Sequence, residues 1–272
     1  MAAKAGQGAK YIAYFQSFTN TYGAPAHLRR LFQTAIEPED VAILSIATRP
    51  DCLGPEILEL LAELNRVKPV WVELGLQTIH PASAAYIRRG YDLPVFDAAV
   101  KQLKAIGVRA VVHQILGLPG ELEADVQRTI EKIVELAPDS LTVHSLAIKR
   151  ASRLNQWIQE NGVSMLHNTD ETMKIAAAGA EKLGMKPYYL YRQKNMSGNF
   201  ENTGYARPGK YGLYNILIME EKQTIVALGA GSITKRVFPD GRIERCDNVK
   251  DVGLYIEKID EMIERKKELF AE

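Results

Sequence analysis

Cysteine is nearly missing from this chain: Cys52 and Cys246 are the only two among 272 residues. Two thiols so far apart give no disulfide framework and no metal-ligand spacing. Excess charge of one sign is also lacking. Lys and Arg number 34 against 33 Asp and Glu, a formal net charge of +1. That excludes the basic stripe by which nucleic-acid binders are read. No apolar run approaches the roughly 18–20 residues needed to span a bilayer. The first ten residues, MAAKAGQGAK, have no apolar signal core. The expectation is a cytoplasmic protein without membrane or nucleic-acid partners, its residues 1–10 disordered.

What the chain does have is alternation. Apolar, β-rich runs fall at Tyr11–Phe15, Val41–Ala47, Trp71–Leu76, Arg109–Leu116, Ser140–Leu146 and Pro187–Arg192. Helical patterns lie between them at Pro25–Ile36, Pro55–Arg66, Ala82–Arg89 with Val95–Ile106, Glu121–Leu136 and Asp170–Leu183. Asp170 stands where a helix is capped, and Gly107 and Gly184 where left-handed C-caps fall. Strands alternating with helices of this length predict βαβ units on a parallel sheet. The fold class is therefore α/β, a barrel-like sheet over residues 11–197. Residues 198–272 read as an α+β extension. Its expected strands are Gly212–Met219 and Thr224–Leu228, its hairpin turns at Asp240-Gly241, and one long helix runs from Val249 to about Phe270. Val252, Tyr255, Ile256, Ile259, Met262 and Ile263 form the apolar stripe of that helix.

In a parallel β/α sheet, ligand groups gather at the C-terminal ends of the strands. Those ends read Gln16-Ser17-Phe18-Thr19-Asn20, Thr48-Arg49-Pro50-Asp51, Gln77-Thr78, Gly117-Leu118-Pro119-Gly120 and Lys149-Arg150. Each is polar or glycine-rich. Period two puts Glu73, Gly75 and Gln77 on the inward face of the third strand. A buried carboxylate needs a partner. Glu73 either pairs with an Arg for structural reasons or meets the ribose or amino group of a ligand. His113 shares a face with Val111, Ile115 and Gly117, as a core histidine or a ligand contact, and no zinc site is expected. Basic residues cluster at Lys149, Arg150 and Arg153 and again at Arg192, Lys194, Arg207 and Lys210. They form a solvated rim or face an anionic small molecule, which Arg suits. Tyr188, Tyr189, Tyr191, Tyr205, Tyr211 and Tyr214 crowd the second cluster, as core residues or beside a flat ligand.

The strand-turn-helix run HQILGLPGE, His113–Glu121, resembles the SAM-adenine strand of radical SAM enzymes. Residues 11–121, with YIAYFQSFTNTYG, LSIATRPDC, WVELGLQTIH and IRRGYD, resemble a YhcC/YtqA-like radical SAM group. Residues from about 122 to 272 resemble HemZ-type oxygen-independent coproporphyrinogen III dehydrogenases. There the carrying strings are APDSLTVHSLAIKRASRLN, PYYLYRQKNMSGNFENTGYARPGK, GLYNILIMEEKQTIVALGAGS and the closing GRIERCDN with IDEMIERKKELF.

The resemblance implies a TIM-like radical SAM barrel, here partial and lacking its first strand. It implies S-adenosylmethionine (SAM) as cofactor, met by Gln16, Thr19, Asn20, Arg49, Glu73, Gln77, Arg89, His113, Ile115, Gly117 and Leu118. It implies tetrapyrrole propionates as substrate, faced by Lys149, Arg150, Tyr191, Arg192, Lys194 and Asn195, and an electron donor for the intact enzyme. The family also holds a [4Fe-4S] cluster on a CxxxCxxC loop, and thiolates are the usual ligands of such iron. Those cysteines are absent from this sequence. The expectation is an incomplete or mosaic oxidoreductase of porphyrin and heme biosynthesis, without radical activity by itself. The alternatives are a non-catalytic tetrapyrrole-binding or heme-binding protein and a radical SAM enzyme of another substrate.

Overall fold

A computed structural model describes residues 10–161 and 166–271 of the chain. The expected disorder of residues 1–10 falls, but for Lys10, outside the described residues. Two compact units are present, one running Lys10–Gly212 and the other beginning at Leu213.

The larger unit is built as alternating strands and helices. Its strands are β1 (Tyr11–Phe15), β2 (Val41–Thr48), β3 (Val70–Gln77), β4 (Arg109–Leu116), β5 (Ser140–Ser145), β6 (Lys186–Tyr191) and β7 (Asn202–Ala206). Its helices are α1 (Pro25–Ile36), α2 (Pro55–Val67), α3 (Pro81–Tyr86), α4 (Leu93–Ala105), α5 (Glu123–Leu136), α6 (Arg153–Asn161) and α7 (Asp170–Lys182). Proline at the first turn of α1, α2, α3 and α4 marks where each begins, since its missing N–H costs nothing there. Gly107 and Gly184 take the expected positive φ, at 72° and 67°. The cap of α7 is Thr169, which accepts from Thr172 N, rather than Asp170.

One seven-stranded sheet has the order β1-β2-β3-β4-β5-β7-β6. The first five strands are parallel, and β7 is antiparallel to both β5 and β6. The sheet is a partial β/α barrel. The sequence places β6 directly after β5, but β7 wedges between them, so the sheet continues past residue 197. Its outer face is apolar: Leu44, Ile46, Val72, Leu74, Leu76, Val112, Leu116, Leu141 and Val143 meet Phe32, Leu60, Leu61, Phe96, Val100, Ile130 and Ile133 of the helices. Burying each such side chain contributes about 1.5–3 kcal/mol. The opposite face carries the polar residues.

The second unit holds α8 (Leu213–Met219), β8 (Ile233–Val237), β9 (Ile243–Asp247), α9 (Val252–Glu257) and α10 (Ile259–Ala271). The hairpin β8–β9 turns at Asp240-Gly241 as expected, Gly241 having φ 84°. Three expectations fail. Leu213–Met219 is a helix rather than a strand. Residues 224–228 form no strand and contribute only the bridge Ile225–Lys235. The long helix is broken at Lys258, so its stripe is not continuous: Met262 is buried, whereas Val252 and Ile256 are 63% and 67% exposed. Lys266, also buried, donates to Asn248 Oδ1 and Met262 O.

Candidate functional site

A cavity of about 510 Å³ opens at the C-terminal ends of the parallel strands. Small-molecule sites commonly run about 300–1,000 Å³. Its floor follows from the period of two on each strand: Glu73, Gly75 and Gln77 from β3, His113 and Ile115 from β4, His144 from β5. Parallel register sets Gly75 against His113 and Ile115 against His144, bringing these side chains together.

Glu73 is the anchor of the floor. One carboxylate oxygen accepts from Tyr14 Oη at 3.0 Å, and the other from Ser45 Oγ at 3.2 Å. His113 Nε2 lies 3.3 Å from Glu73 Oε2, close enough to pair but off the line of a directed hydrogen bond. Burial works to raise the Glu73 pKa, and the His113, Tyr14 and Ser45 donors outweigh it, so the carboxyl sits below its ordinary value. The Arg partner considered from sequence is replaced by this histidine and these hydroxyls. His113 Nδ1 meets His144 Nε2 at 2.9 Å, with the ring centres 5.1 Å apart and the rings 19° from parallel. Burial, then the neighbouring His113, pushes His144 down to about 3. His144 is therefore neutral near pH 7.

The rim of β3 is strained. Gln77 has φ 64° although it is not glycine, and the β3–β4 register shifts between Gly75 and Gln77. A left-handed residue of this kind costs about 1–3 kcal/mol. The Gln77 amide folds back over Gly75, where a Cβ would collide with its Nε2. Gln77 Oε1 is buried and accepts no hydrogen bond among the described residues. Tyr91 donates to Gly75 O, which fixes the facing wall. Arg49, 5.6 Å from the Tyr91 ring centre, forks onto Asp51 at 2.9 and 2.7 Å.

The structure divides the residues singled out in the sequence. Arg49, Glu73, Gln77, His113, Ile115 and Lys149 line the cavity. Asn20 stands behind it, its Nδ2 joining Phe15 O and Ala47 O at 3.0 and 2.8 Å. Thr19 O closes the same turn onto Tyr22 N, and Gln16 is exposed. Arg89, 8% exposed, spends its guanidinium on the carbonyls of Leu76, Thr78 and Tyr91. Gly117, at φ 78°, lets Ser197 approach, since a Cβ there would sit 2.7 Å from Ser197 Oγ. Leu118 is buried.

Of the expected substrate residues beyond Lys149, none lines the cavity. Arg150, Tyr191 and Lys194 are exposed, Arg192 pairs with Glu201, and Asn195 O accepts from Ile148 N. Phe18, Tyr91, His144, Ser145, Gln193 and Asn202 also line the cavity and were not singled out as site residues. Phe18 belongs to one of the strand-end segments read from the sequence, and His144 lies on β5 opposite Ile115, a pairing that only the register reveals. Among the described residues, no three His, Cys, Asp or Glu side chains converge to hold a metal ion. No helix there is long and apolar enough to cross a membrane.

Known proteins resemble this chain in sequence and in fold. Residues 2–133 match the model of the Radical SAM superfamily. The oxygen-independent coproporphyrinogen-III oxidase-like protein HemZ of Bacillus subtilis is 32% identical over 247 residues, 81% of this chain and 49% of HemZ. The uncharacterized protein YtqA of the same organism is 37% identical over 161 residues, 59% of this chain and 50% of YtqA. The chain spans about half the length of the curated relatives it matches. Among solved structures, coproporphyrinogen III oxidase (HemN) of Escherichia coli, a radical SAM enzyme, superposes with a TM-score of 0.64 at 19% identity. That alignment covers 89% of this chain and 55% of HemN, and it shows the fold.

Proposed function

We propose, for this relative of the radical SAM proteins, that the cavity of the Lys10–Gly212 unit binds SAM. One observation carries the reading: Gln77 has a left-handed backbone and its buried Oε1 has no donor among the described residues, at the end of a strand where ligands gather. SAM supplies donors of the right kind in its ammonium and ribose hydroxyls. Glu73 and Gln77 accept, His113 and Ile115 flank, and Arg49 and Lys149 hold the carboxylate side. Bound SAM is a source of a 5′-deoxyadenosyl group when a reduced iron-sulfur cluster accompanies it.

That cluster does not fit the residues present. Three thiolates are needed, and this sequence has two cysteines, Cys52 in the larger unit and Cys246 in the other. Burial also raises the Cys52 thiol, with Asp51 adding to the effect, so it is a poor thiolate. This chain by itself is therefore proposed to hold SAM without cleaving it.

The substrate class proposed is a tetrapyrrole carrying propionates. Similarity to HemZ supports it. The scarcity of cysteine favours a second reading, non-catalytic tetrapyrrole binding on the same barrel. Calorimetric titration with SAM tests the first claim. Binding that weakens roughly tenfold in Gly75→Ala, about 1.4 kcal/mol, supports it, and absence of binding to the parent chain refutes it. Coproporphyrin that leaves its own absorbance band unmoved refutes the tetrapyrrole reading. A stoichiometric visible-absorbing cluster after anaerobic reconstitution refutes the claim about cleavage.

A further inference from the structure

The cavity floor contains more ionisable groups than a binding pocket needs. Glu73, His113 and His144 form a continuous line across β3, β4 and β5, with contacts of 3.3 and 2.9 Å. We infer that this line is a proton relay. His144 takes a proton from an N–H or O–H of a bound ligand, and His113, beside the Glu73 carboxylate, stores it. The inference deepens the reading of this cavity as a ligand site and rests on it only for the identity of the ligand.

The geometry fixes the order of the steps. His144 lines the cavity, and its Nδ1 makes no hydrogen bond among the described residues. In the resting state His144 Nε2–H donates to His113 Nδ1, while His113 Nε2–H faces Glu73. The ligand gives its proton to His144 Nδ1 and keeps the electron pair. The Nε2–H bond of His144 breaks and an Nδ1–H bond forms on His113. His113 is then an imidazolium whose Nε2–H faces Glu73, and His144 is neutral again in its other tautomer. No oxidant or reductant is involved.

Charge placement follows from the surroundings. Burial disfavours a charge on His144, whereas His113 has a carboxylate at contact distance. The other groups facing the line leave that arrangement intact. Tyr14 and Ser45 donate to Glu73, and Tyr189, whose phenol burial holds protonated, adds no charge. The cations Arg49 and Lys149 stand among the other cavity-lining residues, and Arg49 is already paired with Asp51.

Histidine-selective ¹⁵N NMR on the full chain tests this, because tautomer and charge have separate ring-nitrogen signatures. The chain has five histidines, so single replacements assign them. The expected result in the ligand-free chain is His144 uncharged and protonated at Nε2, with His113 Nδ1 unprotonated and accepting from it. In Glu73→Gln the His113 Nε2–H loses the carboxylate it faces, so the fraction of His113 protonated at Nε2 falls severalfold, and Glu73→Asp restores most of it. Charge on His144, or a His113 signal indifferent to Glu73→Gln, overturns the relay. If the variants fail to fold, the tautomers of the parent chain decide, and His144 protonated at Nδ1 in the ligand-free state overturns it. SAM calorimetry on the same samples separates the two claims, since absent binding with the NMR pattern intact removes SAM and leaves the relay.

Discussion

Glu73→Gln tests whether the floor of the cavity is held by a charge. The parent carboxylate receives Tyr14 and Ser45 and faces His113. Hydrogen bonds to a charged group contribute about 1.5–3 kcal/mol, against about 0.5–1.5 kcal/mol between neutral partners. The two hydroxyl bonds thus lose about 2–3 kcal/mol together and the undirected His113 contact adds to this, partly offset because a neutral amide is cheaper to bury. A net loss of about 2–3 kcal/mol at neutral pH is expected, roughly 4–12 °C in melting temperature for a unit of this size. The pH dependence has a definite sign. The folded-state pKa lies below the ordinary 4.5, so the stabilisation is complete above the unfolded value and is lost as pH falls through the folded one. Parent and variant therefore converge in acid. Trp71 and Trp157 both lie in the Lys10–Gly212 unit, so tryptophan emission during urea unfolding reads that unit. A deficit of the same size in acid as at neutral pH, or none at all, refutes the reasoning.

Two further substitutions address the frame around the site. Gly179→Ala puts a Cβ of α7 into the Ile130 side chain of α5. Overpacking of about 1–3 kcal/mol outweighs the helix-propensity gain of about 1 kcal/mol, so the melting temperature is expected to fall. Arg89→Lys removes the forked donors from the carbonyls of Leu76, Thr78 and Tyr91. Losing two such bonds costs about 3 kcal/mol, read as faster amide hydrogen exchange at the end of β3.

The sequence revealed the scaffold better than the site, for physical reasons. Outward apolar positions such as Val72, Leu74 and Leu76 announce themselves because strand period and burial coincide there. The segment Leu213–Met219, LYNILIM, is apolar throughout, so its period could not distinguish a strand from the helix it forms. The insertion of β7 between β5 and β6 depends on pairing between distant segments, which no local pattern encodes. Glu73 was legible as an inward carboxylate, but its partner was not, since His113 reaches it only through the β3–β4 register. Arg89 shows the limit of reading polarity as function. Its guanidinium is held by backbone carbonyls and the face of the Tyr91 ring.

Gln77 is where stability and binding oppose each other. Its left-handed backbone costs about 1–3 kcal/mol, and a buried acceptor without a donor costs about 1–3 kcal/mol. A strand end that served only to close the sheet would carry neither cost. Together they are a sizeable part of the roughly 5–15 kcal/mol that keeps a domain folded. Gln77→Gly removes both, while glycine loses about 0.5–1 kcal/mol through its extra freedom in the unfolded chain. The variant is therefore expected to be about 1–5 kcal/mol more stable, in the opposite direction to Glu73→Gln and Arg89→Lys. On the SAM reading it should also bind SAM at least tenfold more weakly, because the amide that meets the ligand is gone. A variant that is less stable than the parent contradicts the strain argument. One that is more stable and still binds SAM at full strength shows that the strain at Gln77 serves something other than this ligand.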